Sequence, residues 1–410
     1  MHLTSGRTPA MLRVILACGY FLYYLPLSES VRDIDAENRL AFESNKITGE
    51  TLYEGAKRNP GQIYTTAIFP LLATTAQLAL FSEGKTYENL LSFLNLKDKN
   101  EIRTIFPTFI EILFNKDRIG SPTLNLNMYS DTSNRLSPAF IDTYNKTFGG
   151  KARTVDYSDT VKAANEINDE VENEGEFNNI ISSKMIKEGG GLSFISSYVL
   201  TIMYSDKFKF INEKTINFKS GNKVINIPGI TGEGVVKYAD IKSIDAKTIE
   251  LEGKDGLYSY IMVLPNKHDG LLEVLEKLCD STAFQEILDR GEEVCAKLSI
   301  PAGDLIAKCD LEKTAKESNL LRDIFEEGRL ELQGVSHKYN NTYVSSILHE
   351  VHLKPGPIIY DEPRELCSMP QIELEMNRPH LFYVTFTQKV GPIRTPIVGV
   401  VFDITGTTSN

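Results

Sequence analysis

The densest run of metal- and proton-handling side chains in this 410-residue sequence is His349-Glu350-Val351-His352. Zinc proteases place two histidines at i and i+4 on one helix face. Here the spacing is i, i+3, inside the run 343–353, which reads as a β-strand, so the two imidazoles point to opposite faces. The pair is read as structural, and neither a metal nor a cofactor is expected. No Gly-x-Ser-x-Gly elbow or phosphate-binding loop occurs, and nothing in the residue pattern marks an enzyme.

Thiols are the other reactive groups. Apart from Cys18 there are four: Cys279, Cys295, Cys309 and Cys367. Four cysteines allow three pairings, and the sequence does not choose among them. Cys367 lies in an exposed segment and is expected to be the free one, as either a reactive or an inert thiol. That segment, about 356–376, joins the apolar strand 343–353 to a second at 377–386. Structureless connections of about twenty residues are uncommon in compact domains and are usually functional.

Composition sets the frame. A hydrophobic content of 41% with no Pro/Gly/Ser-rich or charge-block linker, and no internal repeat, reads as one large domain. Arg7 and Arg13 precede an apolar run at 14–27, and Ser28-Glu29-Ser30 supplies small residues for cleavage, so residues 1–30 are read as a secretory signal peptide. The run is shorter than the ~20 residues that a spanning helix needs. The expected mature chain, 31–410, is then an extracellular monomer. Removing 1–30 takes away two positive charges and one negative, moving the net charge from −11 to −12. Nucleic acids and anionic membranes both need a cationic footprint, so neither is an expected partner. Asn145-Lys146-Thr147 and Asn340-Asn341-Thr342 are N-glycosylation acceptors, at Asn145 and Asn340.

The elements that must position these groups follow from periodicity. Helices are expected over 63–81 (nearly all apolar, hence buried), 86–96, 101–114 and 160–174, the last with Asp159 as its N-cap. From Ser197 the pattern turns to strands: 198–204, 215–227 with 232–238 pairing back to it, and 258–264. Two short helices at 270–278 and 283–288 follow. Further strands lie at 294–300, 305–308, 343–353, 381–387 and 397–402. Helices first and strands later give an α+β fold with mixed or antiparallel sheets.

Four segments in register resemble the serpin family. The stretch Tyr343 to Leu353 followed by Asn377-Arg378-Pro379-His380-Leu381-Phe382-Tyr383-Val384 resembles the family's C-terminal region. Ala152-Arg153-Thr154-Val155-Asp156-Tyr157 with Ala163-Ala164-Asn165-Glu166-Ile167-Asn168 looks like the strand and helix that cross its main sheet. Tyr258 to Asn266 is similar to a core strand ending in a Leu-Pro turn. Phe325-Glu326-Glu327-Gly328 through Leu332-Gln333-Gly334-Val335-Ser336 matches a further family segment. The likeness covers roughly 50–402. It implies three β-sheets, about nine helices and an exposed reactive-centre loop offered to a protease. In inhibitory members that loop is cleaved and inserts as a new central strand, releasing a metastable fold.

The bait departs from that pattern. A proline has no N–H for a central ladder, yet the hinge reads Pro355, Gly356, Pro357, Ile358, Ile359, Tyr360, with Pro363 beyond. The loop is several residues shorter than the resemblance implies; at ~3.3 Å per residue, five missing residues remove roughly 16 Å of reach. Ile68-Phe69-Pro70-Leu71-Leu72 replaces serines expected beneath the sheet opening. The sheet asparagine falls on Leu200 and the usual tryptophan on Phe208, leaving His349 alone of the polar cluster. The scissile region is expected within Arg364, Glu365, Leu366, Cys367, Ser368 and Met369. Arg364 suits a trypsin-like enzyme, and Leu366 a chymotrypsin- or papain-like one. The resulting expectation is an extracellular inhibitor of a serine or cysteine protease, acting as a short rigid plug without full insertion. The alternative is a non-inhibitory carrier, storage or binding protein of the same fold.

Overall fold

The structure is a computed structural model that describes residues 33–113, 122–175, 179–187, 191–254, 256, 258–309, 311–335, 342–356, 367, 371–386 and 396–404. Among these are nine α-helices and fourteen strands. The expected signal peptide, Asn340, Pro357, Ile358, Ile359, Tyr360, Pro363, Arg364, Glu365, Leu366, Ser368 and Met369 lie outside the described residues.

Helix α1 (Ile34–Arg58) opens the described chain. Asp33 caps it by accepting from the Ala36 amide at 3.0 Å, and acids in its first turn with bases in its last suit the helix dipole. Its buried stripe is built largely from small residues, so its hydrophobic period is weak. Helices α2 (Phe69–Phe81), α3 (Gly84–Leu94) and α4 (Lys99–Leu113) match the three expected early helices closely. One boundary needs correction: 63–81 is not helical throughout. Tyr64–Thr66 forms strand β1, where β-branched Thr65 and Thr66 pair with Val400 and Gly399.

The main sheet has five strands in the order β10-β11-β4-β2-β3: Leu305–Cys309, Tyr343–Pro355, Gly191–Ile202, Thr123–Asp131 and Lys151–Val155. Helix α5 (Pro138–Phe148) precedes β3. Helix α6 (Thr160–Gly175) packs over β2 and β4 and is capped, as expected, by Asp159 accepting from the Lys162 amide at 3.0 Å. Arg153 on β3 reaches Glu170 at 2.6 Å and Glu166 at 3.1 Å, and the Asn168 side chain exchanges two hydrogen bonds with Ile181. These contacts fix α6 across the sheet.

The second sheet has nine strands. Its hub is β6 (Lys223–Ile241), a 19-residue strand that pairs with β5 (Phe208–Ser220) and β9 (Glu292–Pro301) along its first part and with β7 (Ala246–Glu252) at its end. One strand thereby joins two of the three expected sheets. Strand β8 (Tyr258–Pro265) is buried at every residue, as its unbroken apolar run predicts. Strands β13 (His380–Phe386) and β14 (Pro396–Phe402) complete this half, and helices α7 (Leu271–Lys277), α8 (Ser281–Asp289) and α9 (Leu311–Glu317) connect the rest. The expected strand 215–227 is broken by a turn. Ser220 pairs with Lys223, and Gly221 sits at φ 54°, so Gly221-Asn222 is a two-residue hairpin loop. Among the described residues no helix is long and apolar enough to cross a membrane.

Candidate functional site

The site is the segment between the two sheets and the strands that hold its ends. On the near side, β11 runs parallel to β4 from Tyr343↔Gly191 to Pro355↔Ile202, with a bulge at Ser345. The five-stranded sheet is therefore closed along its centre. Pro355 takes part in that pairing although it has no N–H. Successive backbone donors point to opposite sides of a strand, and the next donor, Gly356, bonds to the Ile202 carbonyl at 2.8 Å. The donor missing at Pro355 thus falls on the β10 side, where pairing has already ended at Leu305↔Leu353. Gly356 itself is required by space, since a Cβ there would lie 2.5 Å from the Ile202 carbonyl oxygen.

On the far side, strand β12 (Ile372–Glu375) runs parallel to β9, with Ile372↔Ala296 through Glu375↔Ser299. Lys297–Glu373 at 3.4 Å and Lys214–Glu375 at 2.8 Å flank it. Cys367 is not a free thiol: it is disulfide-bonded to Cys295 on β9, with Cα atoms 5.8 Å apart. This overturns the expectation that Cys367 is the unpaired cysteine. The loop brings it over β9 just before β12, and Gln371 donates to the Cys295 carbonyl at 2.9 Å, so the two residues are neighbours in the fold. Among the described residues, Cys279 and the buried Cys309 form no disulfide; burial, with Glu50 nearby, pushes the Cys279 thiol up to about 11. The expected loop 356–376 is thus mostly anchored at its ends. Ten residues, 357–366, separate the Gly356 and Cys367 anchors.

The chain resumes the sheet through Arg378, whose guanidinium donates twice to the Pro265 carbonyl, at 2.7 and 3.1 Å. His380 follows, buried, with Nδ1 2.8 Å from the Arg378 carbonyl and its ring stacked on Phe402; burial lowers its pKa to about 4.

Beneath the closed sheet, His349 and His352 face different surroundings, as their strand spacing predicts. His349 Nδ1 lies 2.8 Å from the Ser196 hydroxyl, and burial lowers its pKa to about 3. His352 Nε2 lies 3.5 Å from Asp304. Among the described residues, no group of three or more His, Cys, Asp or Glu side chains is placed to hold a metal ion. Leu200 does not face His349: it pairs with Leu353, and Ser196, four residues earlier, stands opposite the histidine. The polar cluster thus keeps a second member. Ser193 and Ser345 bridge the same two strands at 2.9 Å. The signal was the serine content of β4, where Ser193, Ser196 and Ser197 interrupt an apolar strand. Ile68, Leu71 and Leu72 are buried at the start of α2, as expected of their apolar character, and so is Phe208. Asn145 is exposed on α5.

The described chain thus leaves the five-stranded sheet at Gly356 and is fixed to the nine-stranded sheet at Cys367 and β12, with α6 fixed over the first sheet. A family model described as Serpin (serine protease inhibitor) matches residues 65–389, and the chain belongs to that family. Alaserpin of Manduca sexta is 25% identical over 331 residues, 78% of this chain and 82% of the relative. Antitrypsin of Bombyx mori is 25% identical over 268 residues, 64% and 68% of the two chains. The crystal structure of Serpin48, described as a highly specific serpin in the insect Tenebrio molitor, superposes with a TM-score of 0.74 at 18% identity, covering 89% and 98%.

Proposed function

We propose that this protein is a secreted serpin that inhibits a serine or papain-like cysteine protease by plugging its cleft, without complete insertion of the bait. The chain 31–410 acts as one domain and one monomer, exported by residues 1–30, with the bait as ligand and not as a catalyst. The observation that carries this reading is the double anchorage, with Gly356 bonded to β4, Cys367 bonded to β9 and ten residues between them. A short connection between two fixed ends loses little entropy when an enzyme closes on it. Pro357 and Pro363 lack the N–H groups that a central strand must supply, and Ile358, Ile359 and Tyr360 are bulky for that position. Relatives named antitrypsin and antichymotrypsin support an inhibitory role.

The test is to incubate the mature protein with trypsin, chymotrypsin and papain, following residual activity and denaturing gels together. Inhibition without a stable covalent complex is the expected result. A stable complex overturns the plug mechanism, and cleavage without inhibition points to the carrier or storage reading.

A further inference from the structure

Beside the near anchor the two sheets leave a cavity of about 150 Å³. Its lining comes from both sheets: Ile202 at the end of β4 and Gly356 from the first, Phe208 and Phe210 of β5 and Ile230 of β6 from the second. Backbone hydrogen bonds hold the lining in place, among them Phe208 to Ser205 at 3.2 Å, Lys254 to Met203 at 2.9 Å and Ala302 to Pro228 at 3.0 Å. The cavity is thus preformed, and a ligand entering it orders little chain. Phe210 meets Tyr204 and Phe208 edge to face, with ring centroids 5.1 and 5.5 Å apart. An apolar cavity of this volume holds one benzene-sized ring.

Charge selects the other end of the ligand. Among the described residues, two lysines (Lys209 and Lys254) and one acid (Asp206) line the cavity, a surplus of one positive charge. Asp206 is taken by Lys209 at 3.1 Å. Lys254 is exposed, and among the described residues its ammonium makes no salt bridge or hydrogen bond. The hydroxyl of half-buried Tyr204 likewise bonds to no described residue, and burial pushes its pKa up, so it stays a donor. We propose that this cavity binds a small aromatic carboxylate, with its ring among Phe208, Phe210 and Ile230 and its carboxylate toward Lys254, and that binding holds Gly356 on β4. The amide of Gly356 bonds to the Ile202 carbonyl and both residues belong to the lining, so opening that bond breaks the cavity. A ligand that binds only the closed arrangement suppresses opening by a factor of one plus the ratio of its concentration to Kd. Neither the cavity nor its ligand requires the bait to inhibit an enzyme.

Phenylpropionate, phenylpropanol and phenylpropylamine carry one ring on the same short chain with a negative, a neutral and a positive end. The full mature chain is titrated with each by calorimetry, and amide hydrogen exchange at Gly356 is followed with and without phenylpropionate. The expected order is carboxylate tightest and amine weakest. Lys254→Ala weakens phenylpropionate about five-fold, as an exposed ion pair would, and leaves phenylpropanol unchanged. Ala302→Trp places an indole in the cavity and removes binding of all three; the surface variant Lys254→Ala keeps the test decisive if the tryptophan variant folds poorly. At a phenylpropionate concentration of about nine times Kd, exchange at Gly356 slows about ten-fold. No binding of phenylpropionate, equal binding of the three compounds, or wild-type affinity in Lys254→Ala overturns the proposal. So does binding that survives in folded Ala302→Trp, or exchange at Gly356 that ignores saturating ligand.

Discussion

The amide of Gly356 donates to the carbonyl of Ile202 at 2.8 Å, so the residue at which the bait begins also makes the last ladder bond between β11 and β4. A Cβ at 356 would meet that carbonyl at 2.5 Å and Met203 Cγ at 2.9 Å. Gly356→Ala must therefore push the end of β11 away from β4, at a cost of about 1–3 kcal/mol. The expected readouts are a melting temperature lower by a few degrees and faster cleavage of the bait by trypsin. Wild-type values for both would contradict the role given to Gly356.

Cutting the bait is expected to change the melting temperature little. The segment that follows Gly356 carries Pro357 and Pro363, which remove ladder donors, so on the proposed mechanism it is expected to add no complete strand to the five-stranded sheet. Scanning calorimetry of intact and nicked protein checks this. A rise of tens of degrees would show insertion.

Ser196→Ala removes the hydroxyl 2.8 Å from His349 Nδ1 and leaves a buried imidazole with one partner fewer. The expected cost is about 1–2 kcal/mol, read as a lower denaturation midpoint with an unchanged slope. Leu200→Ala, by contrast, leaves the histidine's hydrogen bond intact and destabilises by loss of packing, since Leu200 is buried opposite Leu353. Neutral Nδ1 and Nε2 resonances of His349 that do not respond to Ser196→Ala would disprove the contact.

Acid should weaken the fold through two histidines. Burial lowers His349 to about 3 and His380 to about 4, against 6.5 for a free imidazole. The unfolded chain therefore binds protons that the folded chain refuses. Stability is full above pH 6.5 and falls as the pH drops from 6.5 toward 4 and 3, with a slope of up to about 1.4 kcal/mol per pH unit for each group. Urea unfolding at pH 7.5, 6 and 5 measures the slope, and NMR of the imidazoles reports the cause. Protonation of either ring in the folded protein at pH 5.5 would refute it.

Much of this arrangement was legible from residue pattern. The apolar runs of β8, β11 and β13 and the periodic faces of α3, α4 and α6 announce themselves, because burial on one face or two dictates which residues they carry. The first helix is harder to see. Its buried face is Ala36, Ser44, Thr48, Gly49 and Ala56 as much as Leu40 and Leu52, and small polar residues carry no strong period. Strand β12 is only four residues long, although Ile372-Glu373-Leu374-Glu375 does alternate. The disulfide could not be read at all. Its partners are separated by 72 positions, and what brings them together is the parallel pairing of β12 with β9. Likewise, placing Ser196 opposite His349 needed the register of two strands about 150 residues apart.

That register also governs how the chain can be made. Strand β11 lies between β4 and β10, and β14 bonds to β1 near the start of the described chain. A ribosome that has delivered everything up to residue 340 has thus produced two sheets with open edges and an empty lane between β4 and β10. Neither can close until the last seventy residues emerge. Such long-range, partly parallel pairing is slow to form and exposes unpaired strand edges while it waits. Final assembly therefore waits for β11 and β14, and a nascent chain that lacks them carries unpaired strand edges open to aggregation.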